Sequence, residues 1–421
     1  FVLRNLRELS KELGSRNIAL LIETAEHFSD VPGIVHEVAK KHGCGGLYFN
    51  RNYEVNERER DDATERLFVE SGRSVHAHDG GVALPPGSVL TNDGGFYTVY
   101  SPFKRKWRER FDALGRPEPL PICKKQGEMV GRPGAIPENV KGFESPIDSD
   151  EWPAGEAHAK RRLESFLESR VEEYKDRRDI PGVNGTSTIS PYLTSGVVSA
   201  RQVIHAAMGV NQHKHDAGKK GVVKWIEEVL WREFYTHMLI GFPRVSKHRP
   251  LQLDTERIRW KTNEEHLRAW KEGRTGYPIV DAGMRQLTRR GWMHNRVRMI
   301  TAAFFSKDLF LDWREGERWF MRNLVDGDLA NNNGGWQWSA SVGADAQPYF
   351  RIFNPESQGK KFDPEGEFVR EYVEELRDVD ASEIHDPSPL TRERCGYPAP
   401  IVDHKRTREE AIEAFQKVKK S

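Results

Sequence analysis

Cysteine is nearly missing from this chain: Cys44, Cys123 and Cys395 are the only three in 421 residues, far apart and odd in number. That excludes a disulfide framework and metal sites built on paired cysteines, and it points to a reducing, intracellular setting. Long apolar runs are missing as well. No stretch approaches the ~20 residues a membrane-spanning helix needs, and 37% hydrophobic against 31% charged residues reads as a soluble chain. An excess of either charge is also lacking, since 65 Lys and Arg against 64 Asp and Glu leave +1. Composition therefore announces no nucleic-acid partner, and any DNA binding must come from a local basic face. The cluster Lys104, Arg105, Lys106, Arg108 and Arg110 reads as solvated helix surface. His213 and His215, flanking Lys214, read as a solvated loop rather than metal ligands. Internal repeats and low-complexity tracts are absent. No signal or transit segment is recognisable in the residues given, which open on Phe1 in a helical pattern.

What is present falls into three regions. Residues 1–112 alternate helical and strand patterns. Leu3 to Leu13 is amphipathic, Ile18 to Ile22 is a short apolar strand, and Val31 to Lys41 is helical up to Gly43. Gly46 to Phe49 is a second strand and Asn56 to Val69 a charged helix. Such alternation predicts a parallel α/β sheet, Rossmann-like in kind. Residues 113–157 carry Pro117, Pro119, Pro121, Pro133, Pro137, Pro146 and Pro153, which disfavour helix and predict an extended linker. From Ala157 (the domain taken as 158–421) the period is helical. Proline opens helices at Ser190-Pro191 and Tyr277-Pro278, and Gly291 closes one. Arg406 to Lys420 reads as a charged amphipathic helix on the surface.

Four constellations stand out. Between Asp312 and Pro355 lie four of the 11 tryptophans, the triplet Asp326-Gly327-Asp328, Asn331-Asn332-Asn333 and Gly334-Gly335. This composition predicts a tight non-helical turn, with Trp336 and Trp338 reaching opposite sides of it. Polar groups beside flat aromatics suit a planar ligand, although a buried polar turn with core tryptophans fits the composition as well. Thr186, Ser187, Thr188, Ile189 and Ser190 precede a helix start at Pro191, where hydroxyls and free N–H groups favour an anion or serve as plain caps. From Val223 to Ile240, Ile226, Leu230, Phe234 and Met238 form a core stripe. Glu228, Trp231, Arg232 and Tyr235 share another face, either as a surface Glu228–Arg232 pair or as a site for a stacked base. After Gly291, Asn295, Arg298 and Met299 lie at helical spacing, consistent with an ion pair and a core methionine.

The stretch Asp312–Pro355, together with GYPIVDAGMRQL and WMHNRVRMIT, resembles the flavin-binding region of the DNA photolyase/cryptochrome family. Within that family the chain is similar to class I cyclobutane pyrimidine dimer photolyases over nearly its whole length. The resemblance implies a truncated α/β antenna-type domain lacking its first strand and an all-α FAD-binding domain. It implies FAD held by Tyr174, Thr186, Ser187, Thr188, Ile189, Ser190, Arg232, Arg298, Asp326, Gly327, Asp328 and Asn332, with Arg298 paired to Asp326. It assigns lesion and DNA contacts to Arg178, Glu228, Trp231, Asn295, Arg296, Met299, Trp338, Arg351 and Gln358. Trp336, Trp313 and Trp260 match an electron relay, and Asn56, Glu57 and Lys247 match a folate (5,10-methenyltetrahydrofolate) antenna site, expected here to bind weakly or not at all.

The implied activity is light-driven repair of pyrimidine dimers in DNA, by a monomer located with the DNA. Asn332 is expected to donate from its amide to the flavin ring, and neutral Asn at this position favours repair over signalling. The rival readings are a cryptochrome-type blue-light photoreceptor, a six-four photolyase, and a chain left inactive by truncation. Against the six-four reading stand Asn295 and Met299, where a histidine pair is typical.

Overall fold

The computed structural model describes every residue except Pro146 and Ser421, so the expectation at Pro146 lies outside the described residues. Chain contacts divide it into two compact units, Phe1–Ser169 with Thr188–Lys247, and Arg170–Ser187 with His248–Ser421.

In the first unit, α1 (Val2–Ser15), α2 (Val31–Lys41) and α3 (Val55–Glu70) accompany a two-stranded sheet. Its strands β1 (Gly46–Asn50) and β2 (Ser74–His78) run parallel, Gly46 opposite Ser74 and Asn50 opposite His78, with α3 as the crossover. The expected strand at Ile18–Ile22 does not form. This segment bonds instead to a distant loop: Gly134 N–H donates to the Leu20 carbonyl at 2.8 Å, and Gln126 N–H to the Arg16 carbonyl at 2.8 Å. A Cβ on Gly134 would meet the Ile22 nitrogen at 2.7 Å, so this close approach requires glycine. The described residues of 114–148 carry no helix or strand, which follows from their prolines.

The helix α4 (Tyr100–Ala113) buries Tyr100, Phe103, Trp107 and Phe111 at its own spacing. Its basic residues are not simply solvated: Lys104 and Arg108 reach Glu227 at 2.7 and 3.3 Å. His215 is likewise buried rather than solvated, its Nε2 3.1 Å from Asp112. The long helix Lys220–Gly241 packs on this group, with Ile226, Leu230, Phe234 and Met238 all buried. Its Glu233 accepts from Ala83 N–H and from Trp107 Nε1 at 2.6 Å. Burial outweighs these bonds and pushes the carboxyl up from its ordinary value.

The second unit is helical around one aromatic cluster that includes Trp270, Phe304, Phe305, Trp313, Phe320, Trp336 and Phe415. Pro278–Arg290 ends on Gly291 at φ 61°, the left-handed cap its sequence predicts. The expected turn at Asn331–Trp338 is instead a helix, Leu329–Ser339. Asp328 starts it, accepting from Asn331 N–H at 2.8 Å. Trp336 is pinned by Trp270, Phe305 and Phe320 at centroid distances of 6.0, 5.6 and 5.0 Å, which offsets the poor helix propensity of Asn and Gly. The terminal helix His404–Lys420 is more than surface decoration, because Ala411 and Phe415 are buried in this cluster. Among the described residues no helix is long and apolar enough to cross a membrane, and all three cysteines are free.

Candidate cofactor and DNA site

In the first unit, the exposed face of the long helix differs from its expected form. Glu228 lies 3.0 Å from Lys224, one turn earlier, and Arg232 donates to the Gly81 carbonyl at 2.7 Å. The anticipated Glu228–Arg232 pair is therefore replaced by two separate attachments. Trp231 is stacked on Tyr100 of α4, centroids 3.7 Å apart and planes 10° apart, while Tyr100 Oη donates to the Glu227 carbonyl. One face of this indole is thus occupied from within the unit, and the ring is preset rather than free to rotate.

The hydroxyl loop also differs. The helix it precedes is only Ser190–Thr194, too short for a developed dipole. Thr188 sits at φ 47° and its Oγ1 accepts from Arg162, whose guanidinium lies over Trp152 and Tyr192. Arg162 is a cation that sequence spacing did not mark. At the antenna position, Val55 N–H donates to Ser246 Oγ at 3.0 Å, bringing the start of α3, with Asn56 and Glu57, beside Lys247.

In the second unit, Arg298 donates to Asp326 at 2.9 and 3.0 Å and to the Met293 carbonyl at 2.7 Å, so the expected pair forms. At Gly327 a Cβ would come within 3.2 Å of the Leu324 and Met321 carbonyls, closer than usual packing. Asn295 Nδ2 lies 3.8 Å from Met299 Sδ, placing both on one face. Arg178 and Arg296 converge on Asp179 at 3.5 and 2.9 Å. Burial raises the Asp179 carboxyl, but the Arg296 hydrogen bond and the neighbouring positive charges outweigh it and hold the group below its usual range. Arg296 also lies over Phe362, at the end of the Pro355–Phe362 helix that carries Gln358, and Arg178 lies over the buried Tyr174. Thr186 offers its carbonyl to Arg170 at 3.3 Å. Arg351 is exposed, next to the exposed Phe350. Trp338 is half-buried against Phe353.

Asn332 differs from its expected orientation. Its Nδ2 donates to the Glu317 carbonyl at 2.9 Å and lies 3.3 Å from Glu317 Oε1, so the atom left for a ligand is the acceptor Oδ1. Trp336 and Trp313 are buried and Trp260 is partly buried against the same cluster. None of the described ring contacts, all within 6.5 Å, joins two of these three indoles. Trp336 meets Trp270 instead, and Trp260 meets Phe310 at 5.1 Å.

These residues fit a flavin ring. The buried Trp336 Nε1–H has no acceptor among the described residues, Asn332 presents an acceptor, and the Arg298–Asp326 pair supplies adjacent opposite charges. Fold and site together define an α/β protein with a helical part suited to a planar redox ligand. The family model described as the FAD binding domain of DNA photolyase matches residues 225–417, and the one described as DNA photolyase matches residues 1–124. The deoxyribodipyrimidine photo-lyase of Escherichia coli (strain K12) is 44% identical over 99% of this chain and 87% of that protein. The corresponding protein of Vibrio cholerae is 43% identical over 99% of this chain and 88% of its own length. A bacterial class III photolyase from Agrobacterium tumefaciens has a TM-score of 0.87 at 35% identity, covering 100% of this chain and 88% of that one. The chain belongs to the DNA photolyase family.

Proposed function

We propose that this chain uses light to repair cyclobutane pyrimidine dimers in DNA, with FAD as its redox cofactor. The observation that carries the reading is 44% identity to a deoxyribodipyrimidine photo-lyase over 99% of the chain. When bound, the flavin supplies light-driven electron donation to the dimer and recovers the electron after the ring opens, so the overall reaction is a lyase step.

The residues then divide the work. Tyr174 and the stretch Thr186 to Ser190 hold the cofactor, with Arg162 supplying positive charge beside Thr188. Arg232, Gly327 and Asp328 complete its surroundings, and Arg298–Asp326 borders its ring. Asn332 Oδ1 would accept from the N–H that the redox-active ring nitrogen carries only after reduction, so the amide would favour the reduced cofactor without adding charge. Trp336, Trp313 and Trp260 carry electrons inward from the surface. Glu228 hydrogen-bonds the lesion and stabilises the charge it gains, while Asn295 and Met299 line its pocket.

Photolyases are among the enzymes described as flipping their target bases, at a cost of a few kcal/mol that is least for damaged bases. Stacking contributes ~1–3 kcal/mol per base. Trp231 and Trp338 together thus offset extrusion of a weakly stacked dimer but not of intact bases. Arg178, Arg296, Arg351 and Gln358 contact the DNA backbone, which makes affinity fall with salt. The protein acts as a monomer, inside the cell with its DNA. Asn56, Glu57 and Lys247 are the candidate antenna site for a folate, a point checked by absorbance in the antenna band after the flavin is bleached.

The test is to incubate photoreduced protein with a thymine-dimer oligonucleotide, with and without blue light, and to follow loss of the dimer. Repair should require light. A chain that takes up no FAD, or binds FAD and leaves the dimer intact under light, contradicts the reading. Replacing Glu228 with Ala should lower repair per absorbed photon while flavin content is unchanged.

A further inference from the structure

Glu317 has no exposed surface, yet it lies between a half-exposed imidazole and the amide of Asn332. It sits on the inner side of the Trp313–Asn323 helix. Its Oε1 and its backbone carbonyl both face Asn332 Nδ2, at 3.3 and 2.9 Å. Its other oxygen, Oε2, lies 3.1 Å from Nδ1 of His248, whose side chain is 44% exposed. The two are within ion-pair distance but out of hydrogen-bond alignment, and neither atom has a hydrogen-bond partner among the described residues. A buried carboxylate oxygen facing only an imidazole is costly unless a proton or positive charge is shared with it.

His248 is held toward Glu317 by its backbone. It adopts φ 54°, a conformation uncommon for a residue with a Cβ, and its carbonyl accepts from Arg314 Nε at 2.7 Å. The charged groups around it are Glu317, Arg314 and Arg318, with Glu256 taking Arg314 at 2.8 Å and Arg249 at 3.4 Å. Glu317 favours the imidazolium and outweighs both burial and the two arginines, so His248 titrates above its ordinary value.

We propose that His248 and Glu317 form a proton path from solvent to Asn332, which cancels the charge of the buried carboxylate when the ligand beside Asn332 becomes more negative. In the step itself the Nδ1–H bond of the imidazolium breaks and an O–H bond forms on Glu317 Oε2. The imidazole then regains a proton from water, and no electron moves between the two residues. His248 acts through Glu317 and touches neither cofactor nor lesion. The proposal rests on the reading of Asn332 as a flavin neighbour.

Because the folded-state pKa of His248 is raised, the protonated pair is fully present below the ordinary histidine value and is lost as pH rises through the raised one. Proton delivery should follow the same window. The FAD-loaded protein is photoreduced with a thiol as electron donor, and proton uptake is followed with a pH-indicator dye. In the wild type the uptake rate should fall as pH rises through the His248 titration. In H248Q it should drop about a hundredfold, the low end for positioned proton transfer, and lose that pH dependence. In H248A, added imidazole should restore it. A wild-type rate and pH profile in H248Q, with unchanged flavin content and thermal midpoint, overturns the proposal.

A second measurement needs neither light nor cofactor. The His248 pKa, followed by NMR in the flavin-free protein, should fall toward the ordinary value in E317Q, and an unchanged value also overturns the proposal. If the protein binds no flavin, the reading of Asn332 fails, while this titration still decides whether the two residues are coupled.

Discussion

Two tryptophan-bearing helices, one in each unit, are built on opposite principles. The long helix Lys220–Gly241 has a regular apolar stripe and a half-exposed face where Trp231 rests on Tyr100. The Leu329–Ser339 helix has three asparagines and two glycines, almost no amphipathic pattern, and Trp336 wholly inside an aromatic cluster. The first helix forms because its own sequence repeats. The second forms because a cap and a neighbouring core hold residues that would otherwise turn. Trp231 on the first can therefore be spent on binding, while Trp336 on the second is part of the framework.

The sharpest way to break this contrast is truncation. Trp336→Ala should cost about 3–5 kcal/mol, as for a fully buried large side chain. Trp231→Ala should cost only about 1 kcal/mol, the size of one stacked aromatic pair. Urea midpoints measure both, and equal losses would erase the distinction. Next in size is an acid effect shared by the two units. His237 on the long helix and His294 in the second unit are each depressed by burial to about 4. Between the ordinary 6.5 and 4 the unfolded chain binds the proton and the folded one does not, so stability falls as pH drops through that window. The loss is up to about 3 kcal/mol per histidine at the acid end of that range. The urea midpoint should follow this fall and lose about half of that pH dependence in H237Q or in H294Q, whereas a midpoint indifferent to pH across that range contradicts it.

Smaller effects concern binding and the cap. Trp231→Ala and Trp338→Ala should each weaken binding to a dimer-containing oligonucleotide by about 1–3 kcal/mol, roughly 5- to 150-fold, with flavin content unchanged. A titration showing no loss for Trp231→Ala would assign that indole to packing alone. Asp328→Ala should cost about 1 kcal/mol through the lost cap.

Periodicity decided what was legible. The helices over 31–41, 55–70 and 220–241, the strand at 46–50 and the glycine stop at Gly291 follow from local pattern, and the structure has them all. Ile18–Ile22 has the composition of a strand, but a strand needs a partner strand. Here the backbone bonds come from Gln126 and Gly134, in a loop that no local pattern ties to this segment. The Leu329–Ser339 helix was hidden because its determinants are Asp328 and rings far away in sequence. Of the site, Arg298–Asp326 came from the family resemblance, since 28 positions separate them. Trp231 on Tyr100, Arg162 at Thr188 and His248 on Glu317 involve partners 131, 26 and 69 positions apart, beyond any local periodicity.

Gly316 places bare backbone against Trp336, where an added Cβ would overlap the indole ring. Wedged there at crystal-like density, the ring has little room to shift when its charge changes. In the relay proposed above, few nuclei would need to rearrange on oxidation or reduction, which would keep the activation barrier to electron exchange through this indole low. A single missing methyl group would thereby set the rate of that one relay step.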